Sequence, residues 1–286
     1  MYRIVKKKQL SEKIFLMNIE APRIAKSALP GQFVIIKLHE KGERIPLTIA
    51  DYDREEGTVS IVVQAVGGST QRMETMNEGD HIMDIAGPLG KPSDFIEEFE
   101  EMKDKKILFV AGGVGSAPVY PQVKWLHEHG MDTDVIIGGR SADLVILKEE
   151  MSKVANEVYV ATDDGSLGMK GRVTDMIDHL VKVEGKKYDL VIAIGPLIMM
   201  KFVALQTKEL GISTVVSMNP IMVDGTGMCG ACRVTVGDKI KFACVDGPEF
   251  DGHLVDFDEA MRRSTTYKEK EKLQQFKAEE CQCHRG

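Results

Sequence analysis

The chain has 286 residues, 43% of them hydrophobic, and a formal net charge of -7 at pH 7. One hydrophobic core rarely serves a chain of this length, so two or three domains are expected. Its 37 basic and 44 acidic side chains form no basic block, which argues against a nucleic-acid-binding protein. The apolar runs are too short to span a bilayer and no secretion signal opens the chain, so the sequence predicts a cytoplasmic protein that binds no membrane.

Residues 1–100 carry short β-rich segments separated by turns, among them YRIVKKKQL, IFLMNIEA, QFVIIKLH and TVSIVVQAV. Short alternating segments of this kind are typical of antiparallel strands joined by tight connections. The pattern predicts an antiparallel β-barrel as the first domain.

Residues 101–217 have a different texture, in which apolar strands such as KILFVAG and DLVIAIG alternate with helical stretches. This alternation predicts a parallel sheet covered by helices. The alternation stops before residues 218–286, which hold a cysteine segment and a charged helical tail over roughly 256–280. The expected fold class is therefore multidomain, with a β-barrel, an α/β domain and a small C-terminal domain.

A glycine-rich turn follows the first strand of the middle domain, in VAGGVGSAPVYP from Val110 to Pro121. Glycines at such a junction let the backbone approach a pyrophosphate, and the helix start supplies free N–H groups. Tight packing is the structural alternative, but the strand before and the helix after the turn favour a dinucleotide site. The candidate residues are Gly112, Gly113, Val114, Gly115 and Pro118. Arg140 stands where the second strand of a Rossmann dehydrogenase usually ends in an acid, so the sequence fits a plain Rossmann dehydrogenase badly.

The cysteines indicate metal or redox chemistry. Cys229 and Cys232 form a C-x-x-C pair, Cys244 follows after eleven residues, and this spacing is unlike a dispersed disulfide framework. An iron–sulfur cluster, a zinc site and a redox dithiol are the alternatives. A zinc site could take its fourth donor from the chain end, where Cys281, Cys283 and His284 stand.

Two motifs of the middle domain resemble the ferredoxin reductase superfamily. Gly113, Gly115 and Pro118 match its G-x-G-x-x-P element, and Gly138 and Arg140 match the G-x-R that ends its second strand. The resemblance implies a flavin-binding barrel followed by a nicotinamide-binding α/β domain.

The first domain carries two segments that match the flavin elements of that superfamily. In ERIPLTIADYD, the resemblance implies that Arg44 faces the flavin phosphates and that Thr48 approaches flavin N5 as the catalytic residue. In AVGGSTQRM, it implies pyrophosphate donors. An edge strand with a proline and a turn with an N-cap are the structural alternatives. The flavin-binding candidates are Arg44, Pro46, Leu47, Thr48, Val62, Gln64, Gly67, Gly68, Ser69 and Thr70.

The preferred nicotinamide cofactor follows from charge. Members of the superfamily that use NADP usually present a basic pair after the third strand, where this chain has Asp163 and Asp164. Two carboxylates would repel a 2′-phosphate and could accept hydrogen bonds from ribose hydroxyls, so NAD(H) is expected. Capping of the following turn is the alternative role for these acids. The resemblance also places Gly195 and Pro196 beside the nicotinamide.

The cysteine segment resembles the 2Fe-2S segment of the electron-transfer subunits of dihydroorotate dehydrogenase, C-x4-C-x2-C-x(about 11)-C. Cys229, Cys232 and Cys244 match its last three ligands, and Asp224 takes the place of the first. An aspartate there agrees instead with the small subunits of electron-bifurcating NADH-dependent ferredoxin:NADP oxidoreductases. Glycines at 225, 227 and 230 permit backbone N–H groups to point at an anionic cluster.

The resemblance implies an electron-transfer subunit that uses FAD, NAD(H) and a 2Fe-2S cluster. Its expected partner is a larger flavoprotein subunit with 4Fe-4S clusters. Ferredoxin and NADP(H) would exchange electrons with this chain only through that partner. The alternatives are the subunit of a dihydroorotate dehydrogenase, the subunit of an archaeal sulfide dehydrogenase or sulfhydrogenase, and a zinc-containing nucleotide-binding regulator that is not an enzyme.

Overall fold

A computed structural model describes residues 1–266 of the chain. The chain-end donors Cys281, Cys283 and His284 and the last part of the expected helical tail lie outside the described residues. Within residues 1–266, no helix is long and apolar enough to cross a bilayer.

The first domain is a seven-stranded antiparallel sheet in the order β6-β1-β2-β5-β4-β3-β7. Its edge strands β6 and β7 are separated in the chain by Met83 alone, so the sheet curls until its two edges nearly meet. Two helices accompany the strands. The elements are β1 Tyr2–Ser11, β2 Ile14–Glu20, α1 Pro22–Ser27, β3 Phe33–Lys37, β4 Arg44–Asp53, β5 Thr58–Gln64, α2 Gly68–Thr75, β6 His81–Ile82 and β7 Asp84–Leu89.

The second domain is built on parallel strands with helices packed against the sheet. Strand β8 is buried along its whole length, as expected of a central parallel strand covered on both faces. The elements are α3 Phe99–Met102, β8 Ile107–Gly112, α4 Ser116–Glu128, β9 Asp134–Gly139, α5 Lys148–Met151, β10 Glu157–Thr162, β11 Met169–Lys170, α6 Val173–Asp178, β12 Leu190–Ile194, α7 Leu197–Leu210 and β13 Ser213–Ser217.

The C-terminal segment adds a two-stranded hairpin and one strand of the larger sheet. Up to residue 266, its elements are β14 Arg233–Val236, β15 Lys239–Phe242, α8 Ala243–Asp246, β16 Glu249–Asp251 and α9 Phe257–Arg263. Strand β16 pairs antiparallel with β13, which gives the order β11-β10-β9-β8-β12-β13-β16. The last predicted domain thus supplies a strand to the second sheet.

The three parts of the chain share buried surface. One apolar cluster joins Phe33 and Ile35 of the barrel to the second sheet and to Cys232 and Cys244. In addition, an ion pair of 2.9 Å links Lys124 of α4 to Asp51 of β4. The predicted fold class is confirmed, whereas the boundaries at residues 100 and 217 remain a prediction.

Candidate functional site

A cavity of about 1320 Å³ opens between the barrel and the carboxyl ends of the parallel strands. The carboxyl edge of an open α/β sheet is where such folds bind ligands. Most of the predicted flavin and nucleotide residues line this one cavity, namely Pro46, Leu47, Thr48, Val62, Gln64, Gly112, Gly113, Val114, Gly115, Pro118, Arg140, Asp163, Gly195 and Pro196. Residues that the sequence places far apart therefore face a shared space.

Strand β4 supplies part of the barrel wall of the cavity. Successive side chains of a strand point to opposite faces, so Arg44, Pro46 and Thr48 share one face. Pro46 and Thr48 line the cavity, and the half-buried Thr48 pairs with Phe33 of β3. The hydroxyl of Thr48 is consequently held on a paired strand rather than on a loop, as a group that orients a ring should be.

Arg44 does not line the cavity, and the structure shows a contact that the sequence did not indicate. Its Nε donates to the carbonyl oxygen of Val223 at 2.7 Å, and its Nη2 donates to that of Asp224 at 3.3 Å. The guanidinium therefore joins the barrel to the cysteine segment, and its role at flavin phosphates remains a prediction.

The predicted pyrophosphate donors Gly67, Gly68, Ser69 and Thr70 stand at the start of helix α2, outside the cavity lining. Thr70 Oγ1 accepts from the backbone N–H of Gly67 at 2.9 Å, which is the capping role considered as the alternative. Ser69 Oγ donates to the carboxylate of Glu43 at 2.5 Å. Space remains for a ligand beside Gly67 and Gly68, because a Cβ at either position would meet no atom within 4 Å.

The glycine-rich turn serves both packing and ligand access. A Cβ at Gly115 would lie 2.1 Å from the carbonyl oxygen of Ile194, so this glycine is needed for the close approach of α4 to β12. Gly113 has a φ of 56° and free space around its Cβ position. Its left-handed backbone faces the cavity next to the start of α4, as a pyrophosphate site requires.

The acidic pair after β10 is divided between two roles. Asp163 lines the cavity together with Arg140. Asp164 does not line it, and its Oδ1 accepts from the N–H and hydroxyl of Ser166 at 2.9 and 2.6 Å. Those hydrogen bonds lower the pKa of Asp164. Asp164 therefore caps the turn, which was the alternative considered for both acids.

Several residues that line the cavity belong to no motif recognised in the sequence. They come from the start of α6, the outer face of α7 and the segment after β13, and include Arg172, Thr174, Ile198, Met199, Phe202, Asn219 and Pro220. The starts of α6 and α7 follow strand ends, so their position at the carboxyl edge could have been inferred from the parallel sheet. The segment after β13 carries no such signal.

The cysteine segment wraps tightly, as its glycines indicated. Gly225, Gly227 and Gly230 have φ values of 85°, 84° and 66°. Hydrogen bonding from the backbone of Ala231, followed by that of Asp224, lowers the pKa of the Cys229 thiol. Backbone donors directed at sulfur stabilise the thiolate, the form that binds a metal.

Cys232 and Cys244 are free, buried and in contact, with 3.2 Å between their Sγ atoms. Burial and the neighbouring Cys232 raise the pKa of Cys244. A cation bound between two such thiols would favour their ionised forms.

Asp224 lies beside these cysteines but is not arranged as a fourth ligand. Its Oδ2 accepts from the N–H groups of Thr226 and Met228 at 3.0 and 3.4 Å, and hydrogen bonds from Thr226 lower its pKa. Within residues 1–266, no three His, Cys, Asp or Glu side chains already form a metal-binding group. The three cysteines and the surrounding backbone donors nevertheless fit an anionic iron–sulfur cluster, and the ligand role of Asp224 remains a prediction.

Sequence models of three protein families match successive parts of the chain. The oxidoreductase FAD-binding domain matches residues 1–93, and the oxidoreductase NAD-binding domain matches residues 109–205. The iron-sulfur cluster binding domain of dihydroorotate dehydrogenase B matches residues 219–256. These matches confirm FAD, NAD(H) and an iron–sulfur cluster as cofactors and favour iron over zinc at the cysteines.

Full-length similarities agree with these domains. An uncharacterised protein of Clostridium beijerinckii, from the adh 3′ region, is 64% identical over 99% of this chain and 96% of its own. A Thermotoga maritima homolog of the dihydroorotate dehydrogenase B (NAD(+)) electron transfer subunit is 51% identical over 94% of this chain and 93% of its own. A structure of NADH-dependent reduced ferredoxin-NADP oxidoreductase, solved for flavin-based electron bifurcation, is 49% identical with a TM-score of 0.87, covering 96% of each chain.

The three matched domains correspond, in chain order, to the barrel wall of the cavity, its α/β wall and the cysteine segment. The chain is an NAD-linked oxidoreductase subunit that carries FAD and an iron–sulfur cluster. It belongs to the family of the dihydroorotate dehydrogenase B electron transfer subunit and its homologues, within the ferredoxin reductase superfamily.

Proposed function

We propose that this chain is the small subunit of an electron-bifurcating NADH-dependent ferredoxin:NADP oxidoreductase. It exchanges hydride with NAD(H) and single electrons with a larger flavoprotein subunit. Support comes from the 49% identity to a structure solved for that activity and from an aspartate at the first ligand position of the cluster segment.

One contact carries the proposal that electrons pass between the flavin site and the cluster within this chain. Arg44 begins strand β4 and holds the carbonyl oxygens of Val223 and Asp224, and four residues further along the same face Thr48 lines the cavity. At about 3.3 Å per residue, that separation is about 13 Å along the strand. Strand β4 thereby links the two sites.

A second contact fixes the cluster segment on the barrel. A Cβ on Gly225 would lie 2.7 Å from Cδ1 of Ile35 and 2.9 Å from Cδ1 of Leu89, so the turn packs directly on β3 and β7. A rigid support of this kind keeps the distance between cofactor sites constant, because packed interiors deform little.

The bound cofactors supply hydride exchange at the nicotinamide, conversion between two-electron and one-electron steps at the flavin, and one-electron transfer at the 2Fe-2S cluster. The chain contributes binding and orientation. Gly113 and the start of α4 hold the pyrophosphate of the nucleotide, and Asp163 accepts hydrogen bonds from its ribose hydroxyls. Thr48 orients the edge of the flavin ring. Asp224, Cys229, Cys232 and Cys244 hold the cluster, and no side chain acts as an obligatory acid or base.

The partner subunit contacts the exposed side of the cysteine segment. Cys229 is exposed, and the apolar side chains around it are open to solvent, with 87% of Met228, 51% of Val223 and 38% of Val245 accessible. An exposed apolar patch beside a redox site is typical of a protein interface. Ferredoxin and NADP(H) react only through that partner.

The first experiment is anaerobic purification of the chain, with analysis of flavin, iron and acid-labile sulfide. We expect FAD, about two irons per chain with equal sulfide, and bleaching of the flavin by NADH in preference to NADPH. Flavin without iron would contradict the assignment of the four ligands.

A second experiment separates the two related enzyme functions. The large subunit of a bifurcating enzyme is added to the chain with NADH, reduced ferredoxin and NADP+. The catalytic subunit of a dihydroorotate dehydrogenase is added separately to the oxidised chain with dihydroorotate and NAD+. Coupled reduction of NADP+ and oxidation of ferredoxin with the first partner alone supports the proposal. NAD-linked dihydroorotate oxidation with the second partner alone overturns it.

A further inference from the structure

Glu249 lies where the three parts of the chain meet. Its carboxylate accepts a hydrogen bond from Gln122 Nε2 at 2.7 Å and one from Ser93 Oγ at 3.2 Å. Gln122 belongs to helix α4, Ser93 follows the last barrel strand, and Glu249 begins β16 after the cysteine segment. The side chains of Gln122 and Ser93 are 0% and 1% exposed, so the carboxyl is bound by groups that have no solvent alternative.

The elements joined by this carboxyl also carry the walls of the cavity. Gln122 lies one helical turn after Pro118, which lines the cavity, and Pro248, next to Glu249, lines it as well. Backbone hydrogen bonds flank the junction, from Lys91 N–H to Gly247 at 2.7 Å and from Met218 N–H to Pro248 at 2.8 Å. A shift of β16 would therefore move a wall of the cavity and the segment that follows Cys244.

We propose that Glu249 is a positioning residue whose carboxyl fastens the cluster segment to the barrel and to helix α4, and so sets the alignment of the flavin cavity with the cluster. The functional part of this inference rests on the proposed function, whereas the fastening itself does not. The three groups, Glu249, Gln122 and Ser93, are called the clasp below.

The protonation state of the Glu249 carboxyl decides how many polar atoms of the clasp have a hydrogen-bond partner. Glu249 as a residue is partly exposed, but its carboxyl is enclosed. Burial raises the pKa of Glu249 to about 7, and the charge of Asp94 acts in the same direction, against the hydrogen bonds from Ser93 and Gln122. Other nearby charges are engaged elsewhere, since Lys124 pairs with Asp51 and the Asp251 carboxylate accepts from His253 N–H.

An unpaired atom in the clasp supports the same conclusion. Gln122 Oε1 is buried and has no hydrogen-bond partner within residues 1–266. An ionised Glu249 can only accept hydrogen bonds, whereas a protonated Glu249 can donate one to an amide oxygen. The protonated form therefore satisfies more of the buried groups, and the clasp should loosen as the pH rises through neutrality.

The test is hydrogen–deuterium exchange of the purified chain at pH 6 and pH 8.5, corrected for intrinsic exchange rates. In the unsubstituted chain, opening of segments 88–93, 116–123 and 245–250 should increase about tenfold at the higher pH. Glu249→Gln keeps the shape of the side chain, and its amide can pair with both Nε2 and Oε1 of Gln122. In this variant the three segments should therefore exchange slowly at both pH values. Glu249→Ala should open the segments at both.

Matched variants keep the result interpretable. Glu157→Gln removes an acid at the exposed start of β10 and should leave the pH response intact. Ser93→Ala tests the clasp from the barrel side and should accelerate exchange in segment 245–250. Equal exchange in the unsubstituted chain, Glu249→Gln and Ser93→Ala at both pH values would overturn the clasp.

The functional readout uses the holoprotein reduced by NADH in a stopped-flow instrument. The ratio between the rates of flavin reduction and cluster reduction should change more with pH in the unsubstituted chain and in Glu157→Gln than in Glu249→Gln, which keeps only the pH dependence of flavin reduction itself. The same pH profile in Glu249→Gln would contradict the positioning role. If the purified chain lacks flavin or iron, the proposed function is wrong. The exchange experiment still tests whether Glu249 holds the three parts of the chain together.

Discussion

Arg44 Nε lies 2.7 Å from the carbonyl oxygen of Val223, a residue 179 positions later in the chain. The arginine stands on the strand that carries Thr48 into the cavity, and its partner stands at the entry of the cysteine segment. A charged donor on a backbone carbonyl is among the stronger hydrogen bonds of a protein surface. This pair therefore connects the flavin barrel to the cluster segment.

Replacing Arg44 by Met should loosen the cysteine segment. Loss of the two hydrogen bonds should cost about 1 kcal/mol at this partly exposed site, which corresponds to about fivefold faster proteolysis within residues 222–231. Arg3→Met, which removes an exposed pair with Glu20 at 3.8 Å, is the control. If Arg44→Met instead weakens FAD binding and leaves the segment as resistant as before, the flavin-phosphate role is the correct one.

Replacing Asp224 by Cys should keep the cluster but change its spectrum and potential, because thiolate is a softer ligand than carboxylate. Electron paramagnetic resonance and a redox titration of the holoprotein measure both. Asp238→Cys, in the turn between β14 and β15, controls for an added thiol. A spectrum and potential identical to those of the unsubstituted chain would show that Asp224 does not bind iron.

Replacing Asp163 by Ser should reduce discrimination against NADPH, because a carboxylate beside a 2′-phosphate is repulsive. We expect the ratio of kcat/KM for NADH over NADPH to fall about tenfold. Asp164→Ser is the matched control, since Asp164 caps its turn away from the cavity. An effect of Asp164→Ser larger than that of Asp163→Ser would reverse this assignment.

Replacing Thr48 by Val should slow the reduction of bound FAD by NADH about tenfold, the typical loss for one hydrogen bond that orients a reacting group. Thr48→Ser keeps the hydroxyl and should stay close to the unsubstituted rate. Stopped-flow absorbance of the flavin is the measurement, and FAD content is determined for each variant. Equal rates for the Val and Ser variants would show that the Thr48 hydroxyl plays no part in flavin reduction.

Replacing Glu249 by Gln should alter how stability depends on pH. Because burial raises the pKa of Glu249 to about 7 in the folded chain, its contribution to stability is present in full below the unfolded value near 4.5 and is lost as the pH rises through 7. Relative to the unsubstituted chain, the Gln variant should therefore gain about 2–3 kcal/mol between pH 4.5 and pH 8. Urea unfolding of both chains measures the difference, and a constant difference across this range would show that Glu249 does not titrate.

The order of barrel, α/β domain and cysteine segment could be predicted from local patterns, namely the periodicity of the strands and helices and the spacing of the cysteines. Strand β8 is apolar and buried throughout, whereas buried and partly exposed residues alternate along much of barrel strand β2, and neither pattern depends on distant residues. The glycine-rich turn of the nucleotide site was also identified from sequence, because a strand precedes it and a helix follows it. The left-handed turns at Gly225, Gly227 and Gly230 were predictable because only glycine adopts them readily.

The partner of each polar group depends instead on the tertiary packing. Asp163 and Asp164 are neighbours with the same chemistry, yet the turn directs one into the cavity and the other to Ser166. Glu249 meets Gln122 across 127 positions, and Arg44 meets Val223 across 179. Such contacts depend on how whole sheets and helices pack, and that packing is set by the summed burial of many side chains rather than by any local pattern.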